Sequence, residues 1–214
     1  MTEKIYLTIQ ENTEFEIVIK KSRFICSLAR INNEEEAQQF IKQVSTANRK
    51  ATHNCFAYMV GDDDHIQRES DNGEPSGTAG VPILEALQLM HVHNVCAVVT
   101  RYFGGIKLGA GGLIRAYSNA TSEALHKAGL VQRVTQALLK IDVPYNLHDQ
   151  LIYWINERQL QIDHEDYGVQ VTTTIFVDQA QVEEVTNELT NRFNDQLTIT
   201  KAGKRFNEIP YEVK

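Results

Sequence analysis

The sequence predicts an α+β fold in two consecutive domains, residues 1–132 and 133–214, on three observations. Short runs with alternating apolar residues open the chain and give way to segments of helical period. Two of those helical segments follow directly on glycine-rich stretches. The last third reads strand, helix, strand, strand, helix, strand. With 42% apolar and 23% charged residues over 214 positions, the composition is that of an ordinary globular chain with room for two modest cores.

The first domain begins with strand candidates at Lys4–Ile9, Glu14–Lys20 and Phe24–Ile31; in the second, Phe15, Ile17 and Ile19 alternate with charged residues. Ala37, Phe40, Ile41 and Val44 then recur at helical spacing. Asn32 or Asn33 is placed to cap that helix, and Glu34–Glu36 favour its positive end. Cys55–Val60 and His65–Ser70 read as a hairpin around Gly61–Asp64. A helix follows from near Pro82 through Ile83, Leu87 and Met90, and then a strand at Val95–Arg101. Leu113, Tyr117, Ala120, Ala124 and Ala128 form one stripe of a long helix that Gly129 closes.

In the second domain Ala137, Leu139, Ile141 and Val143 alternate as a strand, and Asn146 stands where it would cap a helix carrying Leu147, Leu151 and Ile155. Leu160 and Ile162 start a second strand. Gly168 turns into Val169–Val177, Asp178 is the expected cap of a helix with Val182, Val185, Leu189 and Phe193, and Leu197 with Ile199 ends the pattern. The βαββαβ order is the ferredoxin-like motif. Residues 129–135 are the connector, too short for a flexible tether, so the domains are expected to pack together.

Several function classes drop out early. Apolar runs such as Val95–Val99 fall far short of the roughly 20 residues that span a bilayer, and no secretory pattern opens the chain, so a soluble, cytoplasmic protein without membrane partners is expected. Cys26, Cys55 and Cys96 are odd in number and widely spaced, which suits buried thiols rather than a disulfide framework. His91 and His93 lack a third ligand, and Asp62–Asp64 lack calcium-loop spacing, so neither a metal nor a cofactor is expected. The formal charge of −7 is uneven: residues 1–133 hold 14 Lys+Arg against 15 Asp+Glu, whereas 134–214 hold 7 against 13. A local anion site in the first domain is therefore compatible with the overall charge.

Two segments concentrate the unusual chemistry. Residues 68–82, RESDNGEPSGTAGVP, carry glycines, prolines and hydroxyls just before a helix, so backbone N–H groups could cradle an anion there. No Walker lysine is present. An acid–base role is open to Asp71 and Glu74, which both lie at this loop, and the plainer alternative is an ordered loop that covers a sheet end, with the two as solvated carboxylates. Residues 100–117, TRYFGGIKLGAGGLIRAY, repeat the strand, glycine turn and helix and add Arg101, Lys107 and Arg115. The spacing is not the dinucleotide fingerprint. Close helix-to-sheet packing would account for Gly109, Gly111 and Gly112, and solvated surface positions for the cations; three cations around one glycine loop point instead to a phosphate or acidic partner. His53 and Cys55, two apart on one strand, diverge too far for a nucleophile pair.

KATHNCFAY (50–58), RESDNGEPSGTAGVPIL (68–84) and VVTRYFGGIKLGAGGLIRAYSNA (98–120) together resemble the IMPACT family, in particular its two-domain bacterial YigZ-type members. The resemblance implies a first domain similar to domain IV of elongation factor G and ribosomal-protein domain 2, and a ferredoxin-like second domain similar to domain V of that factor. It also implies a binding surface of His53, Arg68, Glu69, Ser70, Asp71, Gly73, Glu74, Pro75, Ser76, Gly77, Thr78, Ala79 and Gly80. From the second segment it takes Arg101, Tyr102, Gly104, Gly105, Lys107, Gly109, Gly112, Arg115 and Tyr117. The implied activity is non-enzymatic regulation through RNA, the ribosome or a translation-associated protein. Paired glycine loops keep open the alternative of an enzyme or sensor for a small phosphate-bearing metabolite.

Overall fold

The computed structural model describes residues 6–61, 63 and 65–212. Lys4 and Ile5 of the first expected strand, and Asp62 and Asp64 of the expected turn, lie outside them. The chain divides into two compact units, one of residues up to Arg133 together with Glu208 onward, the other Val134–Asn207.

In the first unit, β2 (Thr13–Ile19), β3 (Ser22–Arg30), β4 (His53–Val60), β5 (Ile66–Ser70) and β6 (Val95–Tyr102) form an antiparallel sheet in the order β2-β3-β6-β4-β5. The central strand β6 is apolar on both sides because both faces are covered. On one face α1 (Glu34–Ala47) packs Ala37 and Val44 on Tyr58, Val60, Cys96 and Val98. On the other, α2 (Gly80–Leu89) and α3 (Ala110–Ala128) bury Ile83, Leu87, Leu113, Tyr117 and Leu125 against Phe24, Leu28, Cys55 and Val99. Each such side chain contributes roughly 1.5–3 kcal/mol on full burial. The alanines of α3 let it lie close to the sheet. β1 (Tyr6–Ile9) pairs with the first four residues of β7 (Leu130–Val143), so part of the expected connector is strand.

Helix ends show where local signals succeed and fail. Asn33 caps α1, accepting from the Glu36 N–H at 2.9 Å, while Glu36 accepts from the Asn32 N–H at 2.8 Å. This reciprocal arrangement satisfies two backbone donors. α2 starts at Gly80, two residues before Pro82. Gly129 ends α3 at φ +67°, where a side chain would be strained.

In the second unit, the rest of β7 pairs with β9 (Val171–Val177), β9 with β8 (Ile162–Tyr167), and β10 (Thr198–Tyr211) with β7, giving the order β10-β7-β9-β8. One core joins Leu139, Ile141 and Ile175 to Leu151, Trp154 and Ile155 of α4 (Tyr145–Glu157) and to Val185 and Leu189 of α5 (Val182–Arg192). Two expected caps are corrected. α4 begins at Tyr145 behind Pro144, so Asn146 is inside the helix. Asp178 precedes a 3₁₀ turn and makes no cap bond, because its carboxylate accepts from the Gln136 amide at 2.7 Å.

Candidate functional site

The first glycine-rich segment is latched to the start of β4. Asn72 donates its side-chain N–H to the Asn54 carbonyl (2.8 Å), a ring nitrogen of His53 lies 3.0 Å from the Asn72 carbonyl, and the Cys55 thiol donates to that of Asp71 at 2.9 Å. Asn72 and Gly73 take positive φ, +40° and +90°, to make this return.

The anion cradle expected at the start of α2 exists, and the chain fills it itself. The Asp71 carboxylate accepts from the backbone N–H groups of Gly77 (2.7 Å), Ala79 (2.9 Å) and Gly80 (2.9 Å). This capping from nine residues upstream is why α2 starts at Gly80 rather than near Pro82. Burial works against ionising Asp71, but the surrounding backbone N–H groups outweigh it and hold the carboxyl below its ordinary value. Gly80 itself leaves no space for a side chain, since a Cβ would come within 2.8 Å of the Ser70 backbone.

Glu74 is not a solvated loop carboxylate, nor Arg101 a solvated cation. Both are buried, 8% and 6% exposed, and Arg101 Nη1 donates to Glu74 Oε1 at 2.5 Å. The Tyr117 hydroxyl donates to the same oxygen at 2.9 Å, and His53 Nε2 stands 3.9 Å from the other. The Arg101 guanidinium lies 5.4 Å from the Phe24 ring centre and 5.6 Å from that of Phe103, which places its charge against two aromatic faces. Burial pushes the Cys55 thiol up to about 12, so it stays protonated at neutral pH and is a poor nucleophile. Burial also raises the Tyr117 phenol far above its ordinary value.

Six residues expected on the surface, Glu74, Thr78, Ala79, Gly80, Arg101 and Tyr117, are thus buried instead. His53, Ser70, Asp71, Gly77, Tyr102, Gly104 and Gly112 are half-buried. Glu69, Gly73, Pro75, Ser76, Gly105, Lys107, Gly109 and Arg115 are exposed. Arg68 is exposed too, but it pairs with Glu34 (3.7 Å), the first residue of α1, and stands opposite Tyr58 of the core under α1. It therefore lies on the sheet face away from α2 and α3.

The second glycine-rich segment behaves differently. Gly109 is the cap position of α3 but offers no side-chain bond, and the first turn contains no acid. A Cβ on Gly109 would meet nothing within 4 Å, one on Gly111 only the Arg115 side chain, and one on Gly112 only Leu108. Close helix-to-sheet packing is therefore not what these glycines serve. Gly112 and Leu113 donate to the Gly109 carbonyl, but among the described residues the Ala110 and Gly111 N–H groups find no acceptor, beside Lys107 and Arg115, and Phe103 and Ile106 are exposed in the same loop. Gly104 does need its lack of a side chain, because a Cβ would sit 2.0 Å from the Lys21 carbonyl carbon.

Sequence reasoning passed over the group on which Gly104 rests. Ile19 and Ser22 close the β2–β3 hairpin, and Lys20 and Lys21 form its two-residue turn at φ +47° and +66°. Turns of this kind ordinarily carry Asn-Gly, so a Lys-Lys pair gives no turn signal.

Comparison with known proteins agrees with this architecture. Residues 20–125 match the Impact N-terminal domain, and residues 141–196 match a domain of unknown function, DUF1949. The chain is similar to the IMPACT family member YvyE of Bacillus subtilis, 44% identical over 93% of this chain and 88% of the relative. It is also similar to the IMPACT family member YigZ of Escherichia coli, 34% identical over 80% and 85%. Among solved structures, a crystal structure described as a hypothetical protein matches with a TM-score of 0.59 and 31% identity, covering 92% of this chain and 97% of that one.

Proposed function

Since the chain belongs to the IMPACT family, in its two-domain bacterial form, we propose that it is a non-enzymatic regulator that binds RNA, in the ribosome or another translation component, through the surface at the second glycine-rich loop. The observation that carries this reading is the uncapped start of α3, whose free N–H groups stand beside two exposed cations, Lys107 and Arg115. Among the described residues neither cation makes an ion pair. An uncapped helix start favours a negative oxygen, and flexible cations beside it suit a phosphate chain.

The groups that a catalytic reading would call on face inward. Glu74 is engaged by Arg101 and Tyr117, Asp71 by a helix start, and Cys55 is protonated. Capture of a small phosphorylated metabolite is left with one cradle instead of two, because Asp71 occupies the first.

The same reading takes the first unit as similar to domain IV of elongation factor G and the second as ferredoxin-like, similar to domain V. For the second unit it is supported by the strand order β10-β7-β9-β8 with both helices in one core. Fold likeness alone does not fix function, so the decision rests on the site.

Co-sedimentation with ribosomes over a salt series is the test. Wild-type protein is expected in the ribosomal pellet at low salt and lost from it as salt rises, with Lys107→Glu/Arg115→Glu reducing binding at every salt concentration. Failure to pellet at low salt, or equal pelleting of wild type and the charge reversal, overturns the reading.

A further inference from the structure

The Lys20–Lys21 turn has a backbone conformation that general physical chemistry does not favour in lysine. Both lysines adopt left-handed backbone conformations, in which the Cβ crowds the neighbouring carbonyl. The turn type is satisfied with less crowding by Asn-Gly. Both residues are exposed, and among the described residues neither ammonium has a carboxylate partner. The acid nearest along the hairpin, Glu16, is held by both Nε and Nη2 of Arg23, at 2.8 and 2.7 Å.

The position of this turn is set by the loop of the proposed surface. The Gly104 N–H donates to the Ser22 hydroxyl at 3.1 Å, and Gly104 lies so close to the Lys21 backbone that no side chain fits between them. Lys107 follows Gly104 by three residues, so its Cα is within about 11 Å of that contact. Two strained lysines are therefore docked against the loop that carries Lys107 and leads to the open start of α3.

We propose that Lys20 and Lys21 are phosphate-contacting residues of the same RNA surface, the turn acting as a rigid prong beside Lys107 and Arg115. The proposal rests on the RNA reading above and adds contacts outside both glycine-rich segments. A flexible loop would offer the same charges with more freedom to lose on binding. The hairpin, closed by the Ile19–Ser22 pair and seated on Gly104, holds them in place before the strand arrives.

The test uses full-length protein and a fluorescein-labelled single-stranded oligouridylate, read by anisotropy across a potassium chloride series, with thermal melts alongside. The variant Lys20→Asn/Lys21→Gly installs the preferred turn, so its melting temperature is expected to equal or exceed that of wild type. Its Kd is expected to rise about tenfold at low salt, and the slope of log K against log salt to shrink by about 1.4, which is 0.7 per lost phosphate contact on a single strand. A variant with wild-type Kd and slope overturns the inference while leaving the RNA reading intact, provided that Lys107→Glu/Arg115→Glu weakens binding. Wild-type protein that does not bind the oligouridylate overturns both.

Discussion

Asp71 and Glu74 stand three residues apart in one loop and do different work. Asp71 caps a helix with both oxygens, Oδ1 accepting from Ala79 and Gly80 and Oδ2 from Gly77. Replacing it with Asn therefore keeps neutral bonds on one side only and turns an amide N–H donor toward another donor on the other, a loss of about 2–3 kcal/mol at neutral pH. Its carboxyl titrates below 3.8 in the folded protein, whereas the unfolded value is near 3.8. The stabilisation is thus complete above that value and disappears as pH falls through the lowered folded one. Thermal melts should show a gap between wild type and Asp71→Asn that is constant near pH 7 and closes as pH falls below 3.8. Glu74 instead neutralises a buried arginine. Arg101→Met alone leaves a buried carboxylate unpaired and should cost roughly 3–5 kcal/mol, while Glu74→Met/Arg101→Met should cost less than either single change. Denaturant unfolding of the three variants measures the difference.

At the scale of elements, the two helices that follow glycine-rich loops differ at their starts. α2 has an internal carboxylate at its start and α3 has none. Gly109→Asp would supply one in open space, at φ −72°, where a side chain is unstrained. The helix should gain about 0.5 kcal/mol from the added cap and charge. The same carboxylate would repel the phosphate proposed to bind there, so ribosome pelleting should fall as the melting temperature rises. A variant that is more stable and pellets like wild type would exclude the start of α3 as the contact. The β2–β3 hairpin obeys the same logic, in that its least favourable turn residues stand where their charge faces outward.

Across the whole chain, the uneven charge acquires its meaning only after burial. Residues 1–133 are balanced in formal charge, but Glu74 is engaged by Arg101 and Asp71 by a helix start, while among the described residues Lys20, Lys21, Lys107 and Arg115 make no ion pair. The strands and helices were readable because their periods are local: the alternation of Phe15, Ile17 and Ile19, or the stripe from Leu113 to Ala128, depends on nothing distant. β10 was readable only at its start, since most of its later residues are polar and exposed and carry no alternation. The glycine-rich segments were likewise legible as sites of interest, although their roles were not. By itself the sequence determined the order of elements, the glycine-rich loops and the family. Tertiary structure alone decided which charges are free, because the pairings that settle it join residues far apart in the chain: Glu74 meets Arg101 across 27 positions and Tyr117 across 43, and Gly104 meets the hairpin turn from another strand. No local pattern encodes such contacts, and they make the first loop a closed structural latch and the second an open surface.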